Sequence, residues 1–277
     1  MADPHPRLLR HAGRSPEPLR ENAPHRHAAE HALVHYPSGA VYSFIPKNAC
    51  STLRLSLAVA NGAIAGPEGF AWIHKNNATF RADLRALATA PYSFAILRCP
   101  YRRLASAFLD KIVSRRREFW DLHRAHGDGI DPDALTFRGF VAAIAPPRML
   151  RSDGHWRPQI DFLVYRSYDD LFRMEAFAAV ARRLEDRIGL SLIDARPLTR
   201  HGADGLERVA GAHADTPCHA LLEMRRAGAA PRPESLYDPD LVAGVAGLYR
   251  QDLSFYEARF GARDLLFDPG GRPRRDA

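Results

Sequence analysis

The sequence predicts an α/β protein, a central parallel sheet flanked by helices on both faces within a single domain. Three observations carry this. Two apolar, β-type runs, 41–45 and 92–97, each stop at a turn that opens into a helical pattern. Strands and helices then alternate along the chain, the order that a parallel sheet with crossover helices requires. The 277 residues suffice for one substantial core, and a 46 % apolar fraction is ordinary for a globular chain.

The elements follow in order. Residues 1–30 are rich in Pro and Arg and are expected to form a flexible basic leader. His5, His11, His25, His27, His31 and His35 lie in or beside it without a ligand framework, so no metal is expected. A hairpin over 31–45 leads to the first turn. Residues 61–70 read as a Gly/Pro loop, and 82–88 as a short helix before the strand at 92–97. Leu104, Ala107, Phe108 and Ile112 recur at helical spacing, so a long helix is expected over 101–124. Residues 137–144 and 176–188 read as amphipathic helices, 168–174 as a short strand, 227–239 as a surface loop and 239–260 as helix. The α/β domain then spans 31–265, followed by a flexible tail over 266–277.

The first turn is the most informative stretch. In Phe44-Ile45-Pro46-Lys47-Asn48-Ala49-Cys50-Ser51-Thr52-Leu53 a strand ends at a proline, and a lysine with small or hydroxylated residues precedes a helix. A strand, tight turn and helix N-terminus bind phosphate: backbone N–H groups point at the anion, the helix dipole helps, and Lys47 supplies a full charge. The arrangement is P-loop-like but not a Walker A loop, since the glycine spacing is missing and Lys47 precedes the turn. The second turn, Arg98-Cys99-Pro100-Tyr101-Arg102-Arg103-Leu104-Ala105-Ser106, follows the strand at 92–97. Arg98 therefore stands at a strand's carboxyl end, where ligands of open α/β sheets collect. Two such units suggest two phosphate sites on one ligand.

Pro46-Lys47-x-Ala49-Cys50-Ser51 resembles the 5′-phosphosulfate loop of the carbohydrate sulfotransferases, most closely the chondroitin and dermatan 4-O-sulfotransferase branch with its bacterial relatives. Arg98-x-Pro100-x-x-Arg103-Leu104-x-Ser106-x-Phe108-x-x-Lys111 resembles the 3′-phosphate motif of that branch, with Arg and Ser eight positions apart (106 − 98 = 8). His155-Trp156-x-Pro158 with Tyr168-Asp169 and Met174-Glu175, and Tyr249-x-x-Asp252-x-x-Phe255-Tyr256, are similar to later segments of the family. Two departures stand out: Cys99 replaces an acidic residue, and the cysteine pair usual after the His-Trp block is absent. The resemblance implies sulfuryl transfer from 3′-phosphoadenosine 5′-phosphosulfate (PAPS) to a hydroxyl acceptor, expected to be a sugar or glycan, leaving 3′,5′-adenosine bisphosphate. It implies that Lys47, Asn48, Ala49, Cys50, Ser51 and Thr52 cradle the 5′ group, that Arg98 and Ser106 hold the 3′-phosphate, and that a histidine takes the acceptor's proton. His74 lies between the two motifs, 24 residues before Arg98 (98 − 74 = 24), where resembling enzymes often place that base at a strand end; His155 is the second candidate.

The net charge of +7 suits anionic ligands. Arg115-Arg116-Arg117 and Arg272-Pro273-Arg274-Arg275 lack the aromatic or helix-turn-helix context of nucleic-acid binders and read as solvated faces. Cys50, Cys99 and Cys218 form no framework, and small-residue packing accounts for them. No run of about 18 apolar residues suggests a membrane span, so a cytoplasmic protein is expected, with peripheral membrane contact left open. Two rivals remain: an ATP-dependent P-loop kinase, which needs the glycines and acidic partner that neither turn offers, and an inactive module that only binds anions. Acceptor identity and oligomeric state leave no readable signal.

Overall fold

The computed structural model describes residues 7–76, 78–199, 205–268 and 270–274. His5 of the leader and Arg275 of the tail lie outside them. The fold is mixed α/β around a four-stranded, parallel-dominated sheet flanked by helices, in the order β1 (Ala32–His35), β2 (Ala40–Ser43), β3 (Ser93–Leu97), β4 (Asp170–Arg173). β2 pairs with β3 and β3 with β4 in parallel, while β1 folds back antiparallel on β2 as a hairpin. The chain comprises two compact units, one from Met1–Arg98 with Gln159–Thr199 and one from Cys99–Pro158 with Arg200–Ala277.

The first unit holds the sheet. Every residue of β2 and β3 is buried, which explains why both read as continuous apolar runs rather than alternating ones. The hairpin closes at Gly39, whose φ of 69° and N–H bond to the His35 carbonyl (2.8 Å) suit a residue without Cβ. Leu53, Leu55 and Leu57 of the helix Cys50–Ala60 and Val180 and Leu184 of Phe177–Ile188 pack with Tyr42, Phe94 and Ile96 in one core cluster. Tyr168 and Asp169, part of the third sequence block, act within this scaffold. The Tyr168 hydroxyl meets Ser43 Oγ at 2.7 Å, and Asp169 accepts from the backbone N–H (2.6 Å) and hydroxyl (2.9 Å) of Ser93 and pairs with Arg7 at 2.6 Å. Within the stretch read as a leader, residues 7–30 carry the helix Ala23–Glu30, N-capped by Asn22. Arg10 N–H also bonds the Val164 carbonyl at 2.8 Å, and Arg166 N–H the Leu8 carbonyl at 2.9 Å.

The second unit is mostly helical, with a small parallel pair β5 (Glu207–Val209) and β6 (Ala229–Pro231). The long helix expected over 101–124 is three pieces: an α-helix Pro100–Ala107, a π-turn Phe108–Ile112, and, after Arg115 at φ 48°, the helix Arg117–Ala125. The π-turn admits an extra residue while keeping Phe108 and Ile112 buried, so the apolar rhythm passes through the break unmarked. Phe108 packs against Phe137 and Phe140 at ring separations of 5.2 and 5.5 Å, and Trp156 lies edge-on to Phe140 at 5.6 Å. The helix expected over 239–260 divides at Tyr249 into Pro239–Leu248 and Arg250–Phe260.

Candidate active site

The loop after β2 is built from strained backbone. Lys47 (φ 72°) and Ala49 (φ 54°) both occupy the left-handed region, which costs a non-glycine residue about 1–2 kcal/mol each. Ala49 is the N-cap of the eleven-residue helix Cys50–Ala60, and no side chain caps that helix. Its first-turn N–H groups and the positive end of its dipole thus face an end where an anion is stabilised, with the half-buried Lys47 beside it in sequence. Ser51 is half-buried in that first turn. Thr52 is buried and its hydroxyl accepts from Ala195 N–H at 3.2 Å, while Ser56 Oγ donates to the Thr52 carbonyl and accepts from Ile193 N–H, both at 2.8 Å. Thr52 and Ser56 thereby tie the helix to Ala195 and Ile193. Cys50 is a free thiol, and Arg54, one turn on, donates to the Ile73 carbonyl and lies 5.5 Å from the Phe44 ring centre.

Arg98 ends β3 and reaches the same loop: its guanidinium donates to the Lys47 carbonyl at 2.9 Å. A residue that sequence reasoning missed joins the two. Gln159 Oε1 accepts from Arg98 N–H (3.0 Å) and from Asn48 Nδ2 (2.7 Å), and its Nε2 donates to the Arg98 carbonyl (2.8 Å). Asn48 Nδ2 also donates to the Ile96 carbonyl at 2.8 Å. Asn48 is fully buried and Gln159 is 2 % exposed. The sole hint in the sequence is that Gln159 directly follows Pro158 of the His-Trp block. Asn48, expected among the anion's cradle, uses its side-chain nitrogen to hold the loop to β3.

The two candidate bases occupy different settings. His74 is exposed on the single-turn helix Trp72–Lys75, edge-on to Phe70 at 5.0 Å; the strand-end position expected for it is a helix, because Trp72 and Ile73 fold into the turn that receives Arg54. His155 is half-buried in the second unit, its Nδ1 at 2.7 Å from Asp153 Oδ1 and 3.5 Å from Glu118 Oε1. Lys111 reaches Glu118 at 3.3 Å and Asp110 at 3.7 Å. Burial works to raise the Asp153 pKa, but the hydrogen bond and charge of His155 outweigh it and hold the carboxyl below its ordinary value. The loop carrying His155 is pinned by buried Arg103, whose guanidinium donates to the carbonyls of Arg157 (2.8 Å) and Gly154 (2.7 Å). Ser106 lies half-buried on the helix Pro100–Ala107 of that unit, and Cys99, at its N-cap, accepts from Leu266 N–H at 3.3 Å.

A strained, lysine-bearing strand–loop–helix crosses to an arginine at the next parallel strand's end, at the carboxyl edge of an α/β sheet, the edge where ligands of such sheets collect. A family model described as the sulfotransferase family matches residues 30–257, and the chain belongs to that family. Comparison with curated proteins and with solved structures returns no match. Among the described residues no helix is long and apolar enough to cross a membrane, and no group of three or more His, Cys, Asp or Glu is placed to hold a metal ion.

Proposed function

We propose that this sulfotransferase-family protein uses PAPS as its donor and a hydroxyl, on a carbohydrate or glycoconjugate, as its acceptor. The observation that supports this most is the loop at Lys47–Ala49, held in left-handed backbone against Arg98 and opening an uncapped eleven-residue helix. When bound, PAPS supplies the sulfuryl group, whose bond to the 5′-phosphate oxygen breaks as one to the acceptor oxygen forms. Lys47 and the first-turn N–H groups stabilise negative charge at the 5′-phosphate, the task that cations perform in phosphoryl transfer. Arg98 holds the 3′-phosphate by charge; the partnership of Ser106 in this rests on the sequence spacing. A histidine accepts the acceptor's proton: His74 by motif order, His155 by its carboxylate-held ring. Cytoplasmic residence belongs to the same reading.

Calorimetric titration with 3′,5′-adenosine bisphosphate, beside ATP and beside Arg98→Ala, tests the donor. Micromolar binding of the bisphosphate, lost in the variant and absent for ATP, is expected. Failure to bind the bisphosphate overturns the reading, and ATP binding in its place favours a kinase. Donor binding without transfer to any acceptor favours the inactive module.

A further inference from the structure

We infer that Gln159 is a positioning residue that sets the distance between the two phosphate sites, an inference that rests on the donor proposed above. Its primary amide grips Arg98 as a neighbouring strand would, accepting from the N–H and donating to the carbonyl. The same Oε1 accepts from Asn48, between the two left-handed residues of the loop. The hydrogen-bond roles are forced. Asn48 faces two acceptors, the Ile96 carbonyl and Gln159 Oε1, so its nitrogen must point there, and this leaves Asn48 Oδ1 buried without a partner. A fully buried asparagine that forgoes one acceptor to make two donor bonds is held for its geometry.

Lys47 and Arg98 come from segments 51 residues apart (98 − 47 = 51), and beyond the end of the β2–β3 ladder Asn48 and Gln159 join those segments beside the Arg98–Lys47 contact. A ligand with two anionic groups gains from both sites at once only when their spacing is fixed beforehand; with loose spacing each group binds alone. Gln159 therefore acts on the bidentate ligand and hardly on its halves.

The test titrates wild type, Gln159→Met and Asn48→Ala with 3′,5′-adenosine bisphosphate, 5′-AMP and 3′-AMP, with thermal unfolding recorded for each protein. Gln159→Met keeps the side chain's length and removes the bonds to Arg98 and Asn48. The expected result is an affinity loss of about 10-fold or more for the bisphosphate, against a loss of less than about 3-fold for either monophosphate. Unchanged bisphosphate affinity overturns the inference, and so does an equal loss for all three ligands, which signals general damage to the loop. If Gln159→Met does not fold, Asn48→Ala decides by the same criteria, since it cuts the link to the loop and leaves Gln159 on Arg98. A wild type that does not bind the bisphosphate fails the donor reading itself, and is recognised as such before any variant is compared.

Discussion

The Lys47 loop and the His155 loop are both held in place from outside, by opposite chemistry. The first is fixed by two amides and a guanidinium: Asn48 and Gln159 bond backbone groups and each other, Arg98 donates to the Lys47 carbonyl, and no proton has to move for those bonds to persist between acid and neutral pH. The second is fixed by charge, through Asp153, Glu118, Lys111 and the guanidinium of Arg103. A base gains from carboxylates that fix its tautomer, with Nδ1 toward Asp153 leaving Nε2 for a proton. The difference makes one region insensitive to pH and the other responsive to it, and the two can be broken separately.

The largest expected effect falls on the base. His74→Ala is expected to lower 35S transfer from labelled PAPS to a desulfated glycan acceptor by about 10²–10⁴-fold while leaving bisphosphate binding intact. Near-normal turnover in that variant passes the role to His155, whose alanine variant must then show the same split. Next comes the anion site: Lys47→Ala is expected to reduce both bisphosphate affinity and transfer, the latter by roughly 10²–10³-fold, as removal of a preorganised charge does. A Lys47→Ala protein that binds and turns over normally removes the loop from the reaction.

Much of this was legible in the sequence, for reasons that particular residues show. The run at 92–97 announced β3 because a strand covered on both faces must be apolar throughout. Pro46 and the small residues after it announced the turn, since few sequences leave a strand and enter a helix so quickly. The helix Phe137–Ile144 was legible to the residue from its apolar spacing. The break at Phe108–Ile112 was not, because a π-turn preserves the apolar face that the reading relies on. Nor was the turn that carries His74, where four residues are too few for any period to show. Gln159 was invisible for a different reason. Its partners are backbone atoms of Arg98 and a side chain 111 positions away (159 − 48 = 111), and backbone atoms carry no sequence signature.

A smaller effect concerns the first unit's stability. Burial, with Arg10 and Arg14 nearby, lowers the His11 pKa from 6.5 to about 4 against the opposing charge of Asp161. Between those values the unfolded chain binds more protons than the folded one, so acid favours unfolding. His11 is thus expected to withdraw up to about 3 kcal/mol as pH falls from 6.5 to 4. Burial lowers the pKa values of His25 and His35 as well, adding loss of the same sign. Urea unfolding of wild type and His11→Phe at a series of pH values checks this. The variant's stability should fall less steeply with acid, by about 1.4 kcal/mol per pH unit at most. Parallel curves remove His11 from the account.

The smallest expected effect returns to the charged region and separates positioning from stability. The Asp153 carboxyl titrates below its ordinary value of 3.8, so its contribution is present above that pH and is lost as pH falls through the lower, folded value. Asp153→Asn is expected to cost about 1–2 kcal/mol at pH 7, the size of one charge-assisted hydrogen bond that is partly open to water. The gap to wild type should begin to shrink as pH falls below 3.8, where the unfolded chain takes up its proton, and close only below the lower, folded value, where the wild-type carboxyl is protonated too. If His155 is the base, the same variant also lets its ring turn or change tautomer, and transfer falls more than stability does. A variant that loses stability as described while its transfer and pH–rate profile match wild type assigns Asp153 to the scaffold and His155 with it. The amide-held loop has no counterpart to this experiment, since nothing in Asn48 or Gln159 titrates.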